Sequence, residues 1–254
     1  LTTLLRMSLS PPPHRVREDR LVSYFLSGDA MRSRSVSDVV LSGRVDIPVP
    51  PARLVADWER EVSSRLALEP GDVEPLPLAR ARARWPDYRQ CVQAMSDWTR
   101  TIGLPEALLA LSEVALMACR GARYHHDGAQ YGGAAFCNLF LCEDKELDVP
   151  FPASRQRIPL ARGPVLFFDT GQPHAVIRRS SSGFDAAHFA PGQDCTQVFL
   201  SWELPIEDAH VGRALRIAFD VDAPTASQLD EEQIRVNGEP ASLCLESGRW
   251  RRAG

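Results

Sequence analysis

Three segments decide how the chain is read: GARYHHDG at residues 121–128, AAFCNLFLCED at 134–144 and GPVLFFDTGQPHAVIRR at 163–179. His125 and Asp127 stand two positions apart. In an extended strand residues i and i+2 project from one face, so an imidazole and a carboxylate would stand side by side. His126 between them would face the other way. His174 follows on a second strand-like segment, just past the turn-forming run DTGQP. Two imidazoles and one carboxylate are a donor set for a divalent iron that keeps open positions for co-substrate and oxygen. Read blandly, YHHDG is a polar surface turn and His174 a strand-end histidine bonded to a carbonyl; the order and context of the three residues favour the metal reading.

Around this stretch the pattern is of short strands at close spacing, expected at 121–127, 134–142, 147–151, 156–160, 164–169, 173–179 and 195–202, with glycine turns between them. That spacing points to a sandwich or barrel. Upstream, residues 14–28 read as a short helix ending at Gly28, and 37–48 as a strand or hairpin turning at Ser42-Gly43. PARLVADWEREVSSRLAL has helical apolar spacing after Pro51, residues 69–84 read as a proline-rich loop with a solvated arginine run, and 87–101 as a second helix. EALLALSEVALMA after Pro105 reads as one buried helix, because it is apolar nearly all round. Downstream, ALRIAFDVD and QIRVNGEPASLCLESGRWRR read as further strands, the latter turning at Asn237-Gly238.

These segments together resemble the Fe(II)- and 2-oxoglutarate-dependent oxygenases, in particular their prolyl-hydroxylase-like branch. The residues that carry the likeness are H-x-D at His125–Asp127, the strand AAFCNLFLCED, the distal His174 after GPVLFFDTGQP, and TQVFLSWEL as a final core strand, over roughly residues 115–205. The resemblance implies an α+β, mainly β chain: a double-stranded β-helix (jelly-roll, cupin-like) core with N-terminal helices packed on the outer sheet face. The domain expectation is a helical support region over 1–114, the jelly-roll core over 115–205, and C-terminal strands over 206–254 belonging to the same domain. It further implies iron on His125, Asp127 and His174, and O2-dependent hydroxylation or related oxidation of a C–H bond in a small molecule or amino-acid side chain, with 2-oxoglutarate converted to succinate and CO2. The carboxylate of Asp127 favours hydroxylation, since relatives that install halide lack it.

One part of the family pattern is missing. The family commonly places an arginine or lysine about ten residues past the distal histidine, where its charge meets the remote carboxylate of 2-oxoglutarate; a guanidinium suits that task because its planar fork matches a carboxylate. Residue 184 here is Phe, and the equivalent strand position falls on Thr196 if 180–195 is an insertion. Arg178, Arg123 and Arg162 are the alternative cations, Arg178 first. Trp202 and His188 are the expected substrate-pocket residues, and loop 180–195 a possible lid. Two other readings stay open: a jelly-roll metalloenzyme using iron without 2-oxoglutarate, and a binding module with no catalysis.

Composition sets the outer bounds. The 254 residues carry 29 Lys+Arg against 33 Asp+Glu, so no basic excess points to nucleic acid. No apolar run is long enough to span a membrane, and the first residues have too short an apolar core for a signal peptide. Cys91, Cys119, Cys137, Cys142, Cys195 and Cys244 form no C-x-x-C pair, which argues for unpaired thiols and a cytoplasmic location.

Overall fold

The computed structural model describes residues 20–190 and 192–252. The triple proline at 11–13 and the first part of the helix expected at 14–28 lie outside them. In chain order the elements are β1 (Leu21–Ser27), β2 (Ala30–Ser35), β3 (Val40–Arg44), α1 (Ala52–Arg60) with a π-helical continuation over Glu61–Arg65, β4 (Val73–Leu76), α2 (Leu78–Arg84), α3 (Tyr88–Thr101) and α4 (Glu106–Leu111). Then follow β5 (Val114–Cys119), β6 (Ala122–His125), β7 (Ala134–Phe140), β8 (Leu147–Phe151), β9 (Gln156–Leu160), β10 (Pro164–Asp169), β11 (His174–Arg178) and, after a 3-10 turn at Ala186–Phe189, β12 (Gln197–Pro205). The described chain finishes with α5 (Ala209–Ala214), α6 (Ala223–Ala226), β13 (Gln233–Val236), β14 (Glu239–Leu243) and β15 (Trp250–Arg252).

The chain is mainly β, antiparallel, with few and short helices. A six-stranded sheet of order β3-β10-β7-β12-β5-β4 lies against a four-stranded sheet of order β6-β11-β8-β9. Phe140, Leu166 and Phe168 of the first meet Val149, Phe151 and Val176 of the second in one apolar cluster. Strand periodicity explains the layering: on β12, Leu200, Trp202 and Leu204 point outward, while Phe199, Ser201 and Glu203 point between the sheets. The outward face is covered by Leu54 and Trp58 of α1, Met95 of α3 and Leu108 of α4, which form the larger core with Leu139, Phe167 and Trp202. A third sheet, β15-β14-β13-β1-β2, joins strands from both ends of the described chain. Among the described residues no helix is long and apolar enough to cross a membrane. All six cysteines are free.

Several expectations are corrected. Residues 21–27 are strand β1, not the end of a helix, and their buried face is completed by β13. Ser42-Gly43 lies inside β3 rather than at a turn. Gly43 is required there because a Cβ would collide with the Trp98 indole; its small size lets α3 approach the sheet. Residues 69–84 hold β4 and α2 instead of a loop. Its arginines are engaged, Arg80 with Glu61, Arg84 with Asp57, and Arg82 over the Tyr88 ring. The apolar run after Pro105 is split: α4 stops at Leu111, which is 86% exposed, and β5 begins at Val114. ALRIAFDVD contributes the end of α5 and irregular chain rather than a strand, with Phe219 making a lone bridge to Arg34. The Asn237-Gly238 turn joins β13 to β14 with positive φ at both residues, as a two-residue hairpin turn demands.

Candidate metal centre

His125 ends β6 and His174 begins β11, and the two are direct partners across the antiparallel pair. Their rings lie 4.4 Å apart. Asp127 is not in the strand but in the turn that follows, where its N–H donates to the Thr170 carbonyl at 2.8 Å and its carbonyl accepts from Gln130 and Tyr131. The turn delivers the carboxylate to both imidazoles: Asp127 Oδ1 lies 3.8 Å from His125 Nε2, and Oδ2 3.6 Å from His174 Nε2. One donor atom from each of the three residues falls within a 4.8 Å cluster.

The tautomers follow from the backbone. His125 Nδ1 is 2.8 Å from the Arg123 carbonyl and His174 Nδ1 is 3.1 Å from the Gln172 carbonyl. A carbonyl only accepts, so each Nδ1 carries the hydrogen and each neutral ring turns an unprotonated Nε2 toward Asp127. This outer hydrogen bond is the arrangement that orients a metal-ligating histidine. Burial, reinforced by His125, lowers His174 to about 3, so the ring stays neutral. Phe151 stacks on it at 5.8 Å and Phe168 meets it edge-on at 5.0 Å. Burial pushes the Asp127 carboxyl above its ordinary range, and the neighbouring histidines only partly oppose this. A desolvated carboxylate facing two imidazole lone pairs lacks a positive charge, which a divalent cation would supply.

Two glycines bring the ligand turns together. A Cβ on Gly128 would sit 2.9 Å from the Gly171 Cα, so the turn after Asp127 and the turn before His174 touch backbone to backbone. Thr170 adds hydrogen bonds from its hydroxyl to the carbonyls of Tyr131 (2.7 Å) and Ala134 (2.9 Å).

The triad opens on a cavity of about 500 Å³ between the two sheets. Strand register arranges its wall in layers. Beside the triad are Phe136, paired with Glu203, and Phe168, paired with Phe136. One step deeper Asn138 pairs with Ser201, and deeper still Phe140 pairs with Phe199. Asn138 is buried and its Oδ1 meets no partner among the described residues. Among the described residues no lysine or arginine lines the cavity.

The structure gathers His125, Asp127 and His174, and places the other named residues elsewhere. Arg178 reaches the carbonyls of Lys145 (3.0 Å) and His188 (3.4 Å) and Gln193 Oε1 (3.2 Å). Arg123 lies over the Phe184 ring. A register shift between His174 and Val176 sets Ala122 opposite Val176, so β6 carries one residue too many and the simple alternation that put Arg123 beside His125 fails. Arg162 pairs with Glu143. Thr196 lines a different surface hollow and accepts from Lys145 through its carbonyl. Trp202 is in the outer core, one residue out of phase with the cavity. His188 lies in the 3-10 turn, and none of the described residues of loop 180–195 lines the cavity; that loop is pinned by the fully buried Phe189. His126 packs at a tilt against Trp250, with ring centroids 4.8 Å apart. Sequence reasoning missed Asn138, Ser201, Glu203 and Tyr131, although the polar residues alternating with core residues in QVFLSWEL were the available signal.

No family model matches the chain, and no curated protein matches it in sequence. Among solved structures it is similar to EvdO2 from Micromonospora carbonacea var. aurantiaca, at 13% identity over 65% of this chain and 86% of that one, with a TM-score of 0.37. It is similar also to the non-heme alpha ketoglutarate dependent epimerase SnoN from nogalamycin biosynthesis, at 15% identity over 76% of this chain and 88% of that one, with a TM-score of 0.32. Vicilin from hazelnut, Corylus avellana, overlaps 42% of this chain and 25% of its own at 15% identity, with a TM-score of 0.24.

Proposed function

We propose that this chain is a non-haem iron oxygenase of the 2-oxoglutarate-dependent class, built on a double-stranded β-helix, that oxidises a C–H bond of a small molecule or amino-acid side chain. The observation that carries the reading is the triad itself: two Nε2 atoms with their hydrogens placed on the far nitrogen by backbone carbonyls, and a desolvated carboxylate between them. The donor set fits Fe(II) with three protein ligands on one side. When bound, the metal and its co-substrate supply the oxygen activation.

The chain's own residues supply position and exclusion. Asp127 and the two histidines would hold the metal at the cavity wall. Phe136, Phe168 and Phe199 keep the cavity apolar and exclude water. Asn138, through its amide N–H, and Ser201 beside it, through its hydroxyl, would meet the remote carboxylate of 2-oxoglutarate with neutral hydrogen bonds instead of a cation.

A second reading, in which iron serves without 2-oxoglutarate, is favoured by one observation: among the described residues no lysine or arginine lines the cavity. A single experiment separates the two. Protein loaded anaerobically with Fe(II) and given 2-oxoglutarate should develop a visible charge-transfer band, which is lost in Asn138→Leu and Ser201→Val if those residues hold the co-substrate. Iron binding without the band selects the second reading, and failure to bind iron removes both.

A further inference from the structure

We infer that the substrate of this cavity carries a cationic amine, with Glu203 as its counter-charge among aromatic rings. This rests on the reading of the cavity as the reaction site and adds the substrate class. Glu203 projects from β12 into the cavity. Among the described residues its carboxylate meets no hydrogen-bond donor or cation, and its charged neighbour is another acid, Glu113. A half-buried carboxylate with no partner is a standing cost to the fold. Bringing an ammonium to it recovers Coulombic attraction after Glu203's share of the desolvation has already been incurred in folding.

The surroundings select the same sign of charge. With no arginine or lysine on the wall among the described residues, an anionic substrate group would find there neutral donors and two carboxylates, Asp127 and Glu203. Phe136 is the direct strand neighbour of Glu203, and Tyr131 packs on Phe136 at 5.2 Å, followed by Phe168 at 6.1 Å on its other side. Aromatic faces beside a carboxylate form the environment that binds ammonium ions, since the ring quadrupole attracts the cation without needing a hydrogen bond. Both charge and rings stand in the layer of His174, because Phe168 touches both Phe136 and His174.

The test compares two probes of nearly equal shape, phenethylammonium and phenethyl alcohol, titrated into the full chain by calorimetry with and without Co(II). Wild type should favour the ammonium by roughly tenfold or more, and Glu203→Gln should remove that preference. Glu203→Lys should transfer it to 3-phenylpropionate, which shows that the cavity remains folded and open. Retention of the ammonium preference in Glu203→Gln, or no preference in wild type, overturns the inference. The Co(II) absorption spectrum reports the metal centre separately: a chain that prefers ammonium yet takes up no Co(II) would keep the amine site and lose the metal reading.

Discussion

Arg34 and Asp169 form a fully buried, two-pronged ion pair, with Nη1–Oδ2 at 2.7 Å and Nη2–Oδ1 at 2.8 Å and both side chains at 0% exposure. Arg34 Nε also donates to the Gly132 carbonyl at 2.9 Å. Asp169 accepts from the N–H of Ser37 and of Gly171, each at 2.8 Å. One guanidinium from β2 thus ties the turn beyond Asp127 to the turn before His174. Removing one partner of such a pair strands the other charge without water, which costs about 3–5 kcal/mol. Arg34→Ala should therefore lower the urea midpoint strongly and, at temperatures where it still folds, weaken Co(II) binding through loosened ligand turns. Unchanged stability in urea would show that the pair is replaceable.

Asp127→Asn should behave in the opposite way in the metal-free protein. Its carboxylate is held desolvated with only neutral imidazoles beside it, so neutralising it should leave the melting temperature equal or slightly higher. Stoichiometric Fe(II) or Co(II) binding should be lost in this variant and in His174→Ala. Metal content after equilibrium dialysis, read beside the melting curve, checks both halves.

The acid response of the metal-free chain has a definite sign at His174. Its folded value of about 3 lies below the ordinary 6.5. The unfolded chain takes up a proton as pH falls through 6.5, while the folded chain does so only near 3. This contribution to stability is full above 6.5 and is lost progressively between there and 3. Asp127, raised above 3.8, works in the opposite sense, because the fold is relieved once that carboxyl is protonated. Comparison with His174→Phe isolates the histidine. Wild-type melting temperature should fall more steeply below pH 6.5 than that of the variant, and parallel curves would contradict the burial argument.

Gly43→Ala should cost about 1–3 kcal/mol, the usual range for overpacking, because the added methyl enters the Trp98 indole. The double variant Gly43→Ala/Trp98→Ala should lose less than the sum of the single changes. Additive losses in a denaturation cycle would mean that the contact is soft.

Legibility in the sequence tracked locality. Strands 147–151, 156–160 and 164–169 match β8, β9 and β10, because each is a short run bounded by turn residues. The triad was visible because His125 and His174 sit at strand ends beside glycine turns. The failures share a cause as well. LVSYFLS pairs with β13 at the far end of the chain, and EALLALSEVALMA divides between a helix and a strand whose partners are β4 and β12. Periodicity alone does not distinguish a buried strand from a buried helix. The extra residue in β6 likewise left no mark in the sequence, and it displaced Arg123 from the face assigned to it. Glu203 and Ser201 were overlooked because Trp202 between them drew the reading, although their alternation with Leu200 and Leu204 placed them inward.

The third sheet has a consequence for how the molecule is made. Arg20 and Asn237, bonded to one another, are 217 positions apart, and β1 lies between β2 and β13. As the polypeptide emerges, the β1–β2 hairpin has to wait with one edge unpaired until almost all the described chain has followed. Closing so long a loop is slow, since its entropy must be lost before the contacts that reward it exist. Arg34 rides on that hairpin, so the clamp over the ligand turns is completed late. On the proposed metal reading, metal capture is therefore expected among the last events of maturation, after the two sheets have closed on one another, and a nascent chain stalled before β13 should fold its inner strands yet hold Co(II) poorly.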